Sequence, residues 1–236
     1  MRSLAELQDL FRSRGVISAS QSEIRKFRFF DSQIVPAAGT TQLTFFQNPI
    51  GQGITSSLGN AVGAAKTKYD TNMTSPGSLP NGQAFLIESI EFVFEPGASA
   101  AANTFLPAPP NTFAAAAAAA QLAQLQDVNI MRLGGLLEFQ IVQKLYLQDG
   151  PLGMFPGKCS FNIDIGLASN SATTSEVSGV NGRASGRPYY FEPEISLPPL
   201  VNFSVNAVWP GAVPLPSGFN GRASVYLDGY LSQVLQ

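Results

Sequence analysis

The chain of 236 residues contains no histidine, one cysteine and one tryptophan, and only 13% of its residues are charged. Each shortage removes a class of chemistry. Without histidine there is no Ser-His-Asp or Cys-His nucleophilic site as these are normally built, and a single cysteine cannot complete the usual zinc ligand sets. Cys159 has no partner for an intrachain disulfide, so no oxidising compartment is implied. It shares the strand parity of Phe161 and Ile163 and reads as a small buried apolar side chain. No run approaches the about 18 apolar residues of a membrane span, and the N-terminus lacks the apolar core of a signal peptide. Synthesis in the cytoplasm without export is the expectation. The net charge of -2 offers no general attraction to nucleic acid or acidic membranes. Neither enzymatic activity nor a bound metal or cofactor is expected.

Turn and strand material is plentiful: 22 glycines, 17 prolines and 17 phenylalanines. Leu136 to Leu147 predicts a strand with one buried face, because Leu137, Phe139, Ile141, Leu145 and Leu147 alternate with Glu138, Gln140, Val142, Lys144 and Tyr146, and only Gln143 interrupts the pattern. Similar alternation predicts seven more strands: Arg25 to Phe30, Thr41 to Gln47, Phe85 to Glu95, Lys158 to Leu167, Pro188 to Leu197, Val201 to Trp209 and Ala223 to Leu231. In the third, Leu86, Ile90, Phe92 and Phe94 are expected to share a face. Pro193 marks the Pro188 to Leu197 segment as an edge strand. Phe139, Ile141, Phe161, Ile163, Phe203, Val205, Val225 and Leu227 should then lie in one core.

Two long excursions interrupt the strands. Residues 48–82 are rich in Gly, Ser, Thr, Asn and Pro and predict a surface loop, and residues 96–135 include a short inserted helix over Thr112 to Gln126, nucleated by the alanine run Ala114 to Ala120. Ahead of the first strand, residues 1–23 form an arm. Ser3 can cap a helix on which Leu4, Leu7, Leu10 and Phe11 line up on one side, and Gly15 ends it. About ten residues make a helix that is marginal alone in water, so it must lie on something: its own domain, a neighbouring subunit, or a lipid surface helped by Arg2, Arg12 and Arg14. Residues 1–28 hold six basic side chains against Glu6, Asp9 and Glu23.

Four patterns suggest chemistry and are better read as structure. Gly59 to Thr67 ends in Gly-Ala-Ala-Lys-Thr, but the spacing of a phosphate-binding loop is not met. Glu192 and Glu194 flank Pro193 on a solvated edge and do not form a glycosidase pair. Asp127, Asp149 and Asp164 lack EF-hand spacing. The alternation of Arg25, Lys26 and Arg28 with Phe27, Phe29 and Phe30 reads as a strand with a core face and a wet face, too sparsely charged for strong phosphate binding.

The strand count, the two excursions, the arm from Ser3 to Phe30 and the final strands, with Asn202-Phe203-Ser204-Val205 and Val225-Tyr226-Leu227-Asp228-Gly229-Tyr230-Leu231, resemble the jelly-roll major capsid proteins of tailless icosahedral bacteriophages. The resemblance implies an all-β fold: a single jelly-roll β-sandwich of about eight strands over residues 24–236, with an N-terminal helical arm and a short inserted helix. It implies a virion protein that self-assembles into a capsid shell. Its partners would be copies of itself and other virion proteins, with an internal lipid membrane as a further target and no sequence-specific nucleic-acid recognition. Leu4, Leu7, Leu10, Phe11, Arg12 and Arg14 are the candidate subunit or membrane contacts. The alternative is a receptor- or carbohydrate-binding β-sandwich such as a phage fibre or spike module.

Overall fold

Alternation of apolar and polar residues becomes ten strands in the computed structural model, which describes residues 4–13, 22–56, 63–97, 115–157, 161–171, 174–184 and 186–234. The strands are β1 (Ser22–Val35), β2 (Gln42–Phe45), β3 (Gln83–Glu95), β4 (Leu136–Ile141), β5 (Lys144–Asp149), β6 (Phe161–Ser171), β7 (Thr174–Ala184), β8 (Tyr189–Leu197), β9 (Phe203–Val208) and β10 (Gly221–Val234). Two helices accompany them, α1 (Leu4–Ser13) and α2 (Ala115–Gly134).

Eight strands form two antiparallel four-stranded sheets, ordered β1-β10-β3-β8 and β2-β9-β4-β5, while β6 and β7 pair only with each other. The pairings are nested: β1 with β10, β2 with β9, β3 with β8 and β4 with β5. That is the pattern of one long hairpin wound so that successive pairs fall in alternate sheets; contacts β10 to β3 and β9 to β4 then close each sheet. Apolar residues of both sheets meet in one cluster, with Phe29, Ile90, Phe92, Val225 and Leu227 from the first and Phe45, Phe139, Phe203 and Val205 from the second. The chain is therefore an all-β sandwich with a shared core.

Phe139, Ile141, Phe203, Val205, Val225 and Leu227 lie together in that core as the alternation predicted. Phe161 and Ile163 belong to β6, which leaves the sandwich to pair with β7; their side chains fall outside those described. Cys159 lies outside the described residues. Trp209 is buried, and its indole N–H donates to the Met131 carbonyl at 3.2 Å.

Three expectations are corrected. The single strand predicted over Leu136 to Leu147 is a hairpin: Ile141 pairs with Lys144 across the two-residue turn Val142-Gln143, where the predicted pattern broke. Register also slips, so that Phe139 faces Leu147 while Gln140 faces Leu145; the extra residue, Tyr146, sends Leu145 outward to 43% exposure while Leu147 stays inside. In β3 the partners jump from Asp228 with Ser89 to Gly229 with Ile87, leaving Glu88 as an extra residue. Parity flips there, so Ile90, Phe92 and Phe94 face the core with Phe85 and Ile87, and Leu86 faces the opposite side. The inserted helix is not short: α2 runs 20 residues and ends directly before β4. Met131 is buried in the core, Val128 packs against it, and Gln124 donates to the Gly97 carbonyl at 2.9 Å, so the helix closes one end of the sandwich.

Candidate assembly surfaces and the polar core beneath them

α1 lies across the outer face of the first sheet. Phe11 is buried with Ala84 and Leu86 of β3, and Leu10, Ile24 and Tyr230 pack against them. Leu86 reaches this face only because of the Glu88 bulge. The predicted arm residues are therefore divided: Leu7 and Phe11 are buried, Leu10 is half-buried, Leu4 is 57% exposed, Arg12 is exposed, and Arg14 lies outside the described residues. Ser3, the expected cap, also lies outside them. The pair Arg12 to Asp9 spans 3.8 Å on the exposed side and contributes little there.

Beyond α1 the same sheet face carries paired charges. Arg28 grips Asp228 through both carboxylate oxygens, at 2.7 and 2.8 Å, and reaches Glu91 at 3.2 Å. Both carboxylates are nearly inaccessible to water. Lys26 pairs with Glu88 and lies 4.7 Å from the Tyr230 ring centroid. Burial works against its ammonium, but the Glu88 hydrogen bond and the charges of Glu88, Tyr230 and Asp228 win and raise its pKa. Arg222 donates to the Ser32 hydroxyl and the Tyr69 carbonyl, both at 3.1 Å. The aromatic side of β1 is occupied as well, since Phe29 is in the core and the Phe27 ring meets it edge-on at 4.9 Å. Lys26 and Arg28 are thus already committed to carboxylates of this chain.

At the opposite end of the sandwich from α2, residues 46–56 and 63–82 are organised by buried polar groups rather than spread over the surface. Asp31 continues the inward parity of Phe27 and Phe29 but is fully buried, and it accepts from the equally buried Lys66 ammonium at 2.5 Å. Its other oxygen accepts from the Phe46 backbone N–H at 2.7 Å. Phe46 itself sits at a φ of 68°, a conformation that L side chains rarely adopt, and the Asp31 bond holds it there. Burial pushes the Asp31 carboxyl up from the ordinary range, against the charge and hydrogen bond of Lys66 and the Phe46 and Thr71 bonds. Next to Thr71 in the chain, Asp70 is gripped by Thr55, Ser56 and Thr67: the Ser56 N–H at 2.6 Å, the Thr55 hydroxyl at 2.7 Å and the Thr67 N–H at 2.8 Å. The Asp31 to Thr71 bridge links both clusters to β1. The Lys-Thr of the supposed phosphate loop is therefore structural, with the ammonium on Asp31 and the hydroxyl on Asp70.

This frame presents an apolar tip. Ile50, Ile54, Val142 and Leu200 are 46, 54, 64 and 67% exposed. The segments that carry them are tied together: the Val142 N–H donates to the Asn202 carbonyl at 2.8 Å, the Leu200 N–H to Leu79 at 3.0 Å, and the Gln47 side chain to Phe203 at 2.9 Å. Val142 and Leu200 have φ values of 56° and 60°. A β-branched residue in that region is strained by about 1 to 3 kcal/mol, and such strain clusters where a surface has a task. No charged residue occurs between Asp31 and Lys66 or between Glu194 and Arg222, and charge depletion marks the centres of protein interfaces.

Among the described residues, the carboxylates singled out from the sequence are not brought together. No group of three His, Cys, Asp or Glu side chains suited to a metal occurs among the described residues. Glu192 is exposed and Glu194 half-buried on β8, an edge strand as Pro193 indicated. Asp127 accepts from the Ser217 N–H at 3.0 Å in a setting where burial pushes its carboxyl up. No helix among the described residues is long and apolar enough to cross a membrane. Sequence reasoning missed Asp31, Lys66 and Asp70; the available signal was that Asp31 keeps the inward parity of its strand and Lys66 is the next charged residue after it. No protein family, curated protein or solved structure matches the chain.

Proposed function

We propose that this protein is a jelly-roll structural subunit that self-assembles into a closed shell, as a viral capsid protein does. The nested order of the eight sandwich strands carries the reading. A hairpin rolled into two facing four-stranded sheets is the jelly-roll plan, on which capsid subunits, lectins and cupins are built. The exposed apolar side chains of Ile50, Ile54, Val142 and Leu200 favour the shell among these, because they offer apolar surface for contacts between subunits. Subunit contacts are assigned to this tip and to the free side of α1, where Leu4 and Arg12 face outward. Tryptophan, the usual sugar-stacking residue, is here a single core side chain.

Negative-stain electron microscopy and light scattering of the purified chain are expected to show closed particles of uniform size. A monomer that persists at high concentration and binds immobilised glycans would favour the lectin reading instead. A point replacement sharpens the test. Val142→Asn relieves the left-handed strain, so it is expected to stabilise the isolated subunit by about 1 kcal/mol while weakening assembly. A variant that loses stability and assembles normally would count against the tip as a contact.

A further inference from the structure

A cleft of about 140 Å³ opens where β1 begins, between that strand and the 72–80 segment. Its floor is apolar and fully formed: Phe29, Leu79 and Leu231 are all buried. Arg25, Thr74, Ser78 and Gln83 stand round its mouth. We propose that this cleft binds a small carboxylate with a compact apolar body, the guanidinium of Arg25 taking the carboxylate and the floor taking the body.

Arg25 differs from its basic neighbours. Lys26, Arg28 and Arg222 each have a carboxylate of this chain, at Glu88, Asp228 and Glu95. Arg25 has none among the described residues, yet its guanidinium is held 5.2 Å over the Phe27 ring at the cleft wall. A guanidinium so placed is preorganised for a planar two-oxygen acceptor, and the fork geometry favours carboxylate over a neutral hydroxyl. The volume of the cleft suits a compact body: a cavity of about 150 Å³ accommodates benzene, so a phenyl ring or a branched alkyl group of four or five carbons fits. Thr74, Ser78 and Gln83 supply further polar atoms at the mouth, where the carboxylate meets water. Arg25 is solvent-exposed, so the charge alone gives weak binding, and the apolar floor must provide the remainder. This site is a property of the single subunit and stands independently of the shell.

Benzoate and its neutral counterpart benzyl alcohol are the probes, titrated against the intact chain by saturation-transfer NMR and calorimetry. Benzoate is expected to bind with a dissociation constant on the order of 1 mM or tighter, and benzyl alcohol about tenfold more weakly. Arg25→Gln should remove that preference, leaving the two probes about equal, and Ser78→Trp, which obstructs the mouth from a half-exposed position, should weaken both. Equal binding of the two probes to the native protein, or benzoate binding unchanged in Arg25→Gln, overturns the assignment. So does the absence of benzoate binding at tens of millimolar while the chain is folded by circular dichroism.

Discussion

Replacing Lys66 with methionine is expected to destabilise the subunit by about 3 to 5 kcal/mol, the range for removing one partner of a buried ion pair. The methionine fills much of the lysine volume, so the loss reports the charge left on Asp31 and not a cavity. That carboxylate cannot turn to water: it is fully buried and is held by the Phe46 N–H at 2.7 Å. The sign of the pH dependence follows. Burial already raises the Asp31 pKa above the ordinary value of 3.8, and loss of the ammonium raises it further. Between the ordinary value and the raised one, the folded state binds more protons than the unfolded state, so stability falls as pH rises through that window. The deficit of Lys66→Met should therefore shrink on acidification from pH 7 towards pH 5, where most acid effects on carboxylate-rich proteins run the other way. Asp31→Asn combined with Lys66→Met should recover a large part of the loss, because no charge is then buried. Urea unfolding of the unassembled chain at the two pH values measures both. A loss below about 1 kcal/mol at pH 7 would mean that water reaches the pair and that the segments around Asp31 and Phe46 do not depend on it.

Gly229→Ala is expected to cost about 3 kcal/mol, the upper part of the range for overpacking, although Gly229 has no unusual backbone angle to explain it. The reason is contact. A Cβ at this position would stand 1.8 Å from the Leu86 carbonyl oxygen and 3.1 Å from the Ile87 Cα. Both neighbours are backbone atoms at the bulge where β10 meets β3, so the strands must separate for the methyl group to enter. Separation there disturbs Leu86 and Tyr230, on which α1 rests. Limited proteolysis should consequently release the N-terminal helix earlier in Gly229→Ala than in the native chain, alongside the lower urea midpoint. Gly211→Ala is the control, since nothing lies within 4 Å of its added Cβ and its φ is unexceptional. Equal stability of the two variants would show that β3 and β10 can part at little cost.

Both predictions concern contacts between distant segments, which the periodicity of one strand does not specify. Alternation assigns each side chain to one of two faces, and it did so correctly for Phe139, Ile141, Phe203, Val205, Val225 and Leu227 because burial of one face is a local property of a strand. The same locality made the first helix readable from Leu7 and Phe11, and made β8 readable as an edge because proline cannot donate to a second neighbour. The Val142 turn was hidden for the opposite reason: it has no glycine or asparagine, and it is held in a left-handed conformation by the rest of the sandwich, with its N–H on Asn202. The bulges at Glu88 and Tyr146 arise from register between strands, so nothing within either strand announces the flip that sends Leu86 out to α1 and Leu145 into solvent.

Composition and alternation by themselves determined that this chain is an all-β sandwich with an amphipathic N-terminal helix, since both follow from neighbours four or fewer residues apart. Tertiary structure alone decided which strands pair, that β6 and β7 leave the sandwich, and that Asp31 meets Lys66 across 35 positions. Such contacts depend on how a long hairpin winds. The free energy that selects them, burial of charge against charge and backbone against glycine, exists only once distant segments are side by side.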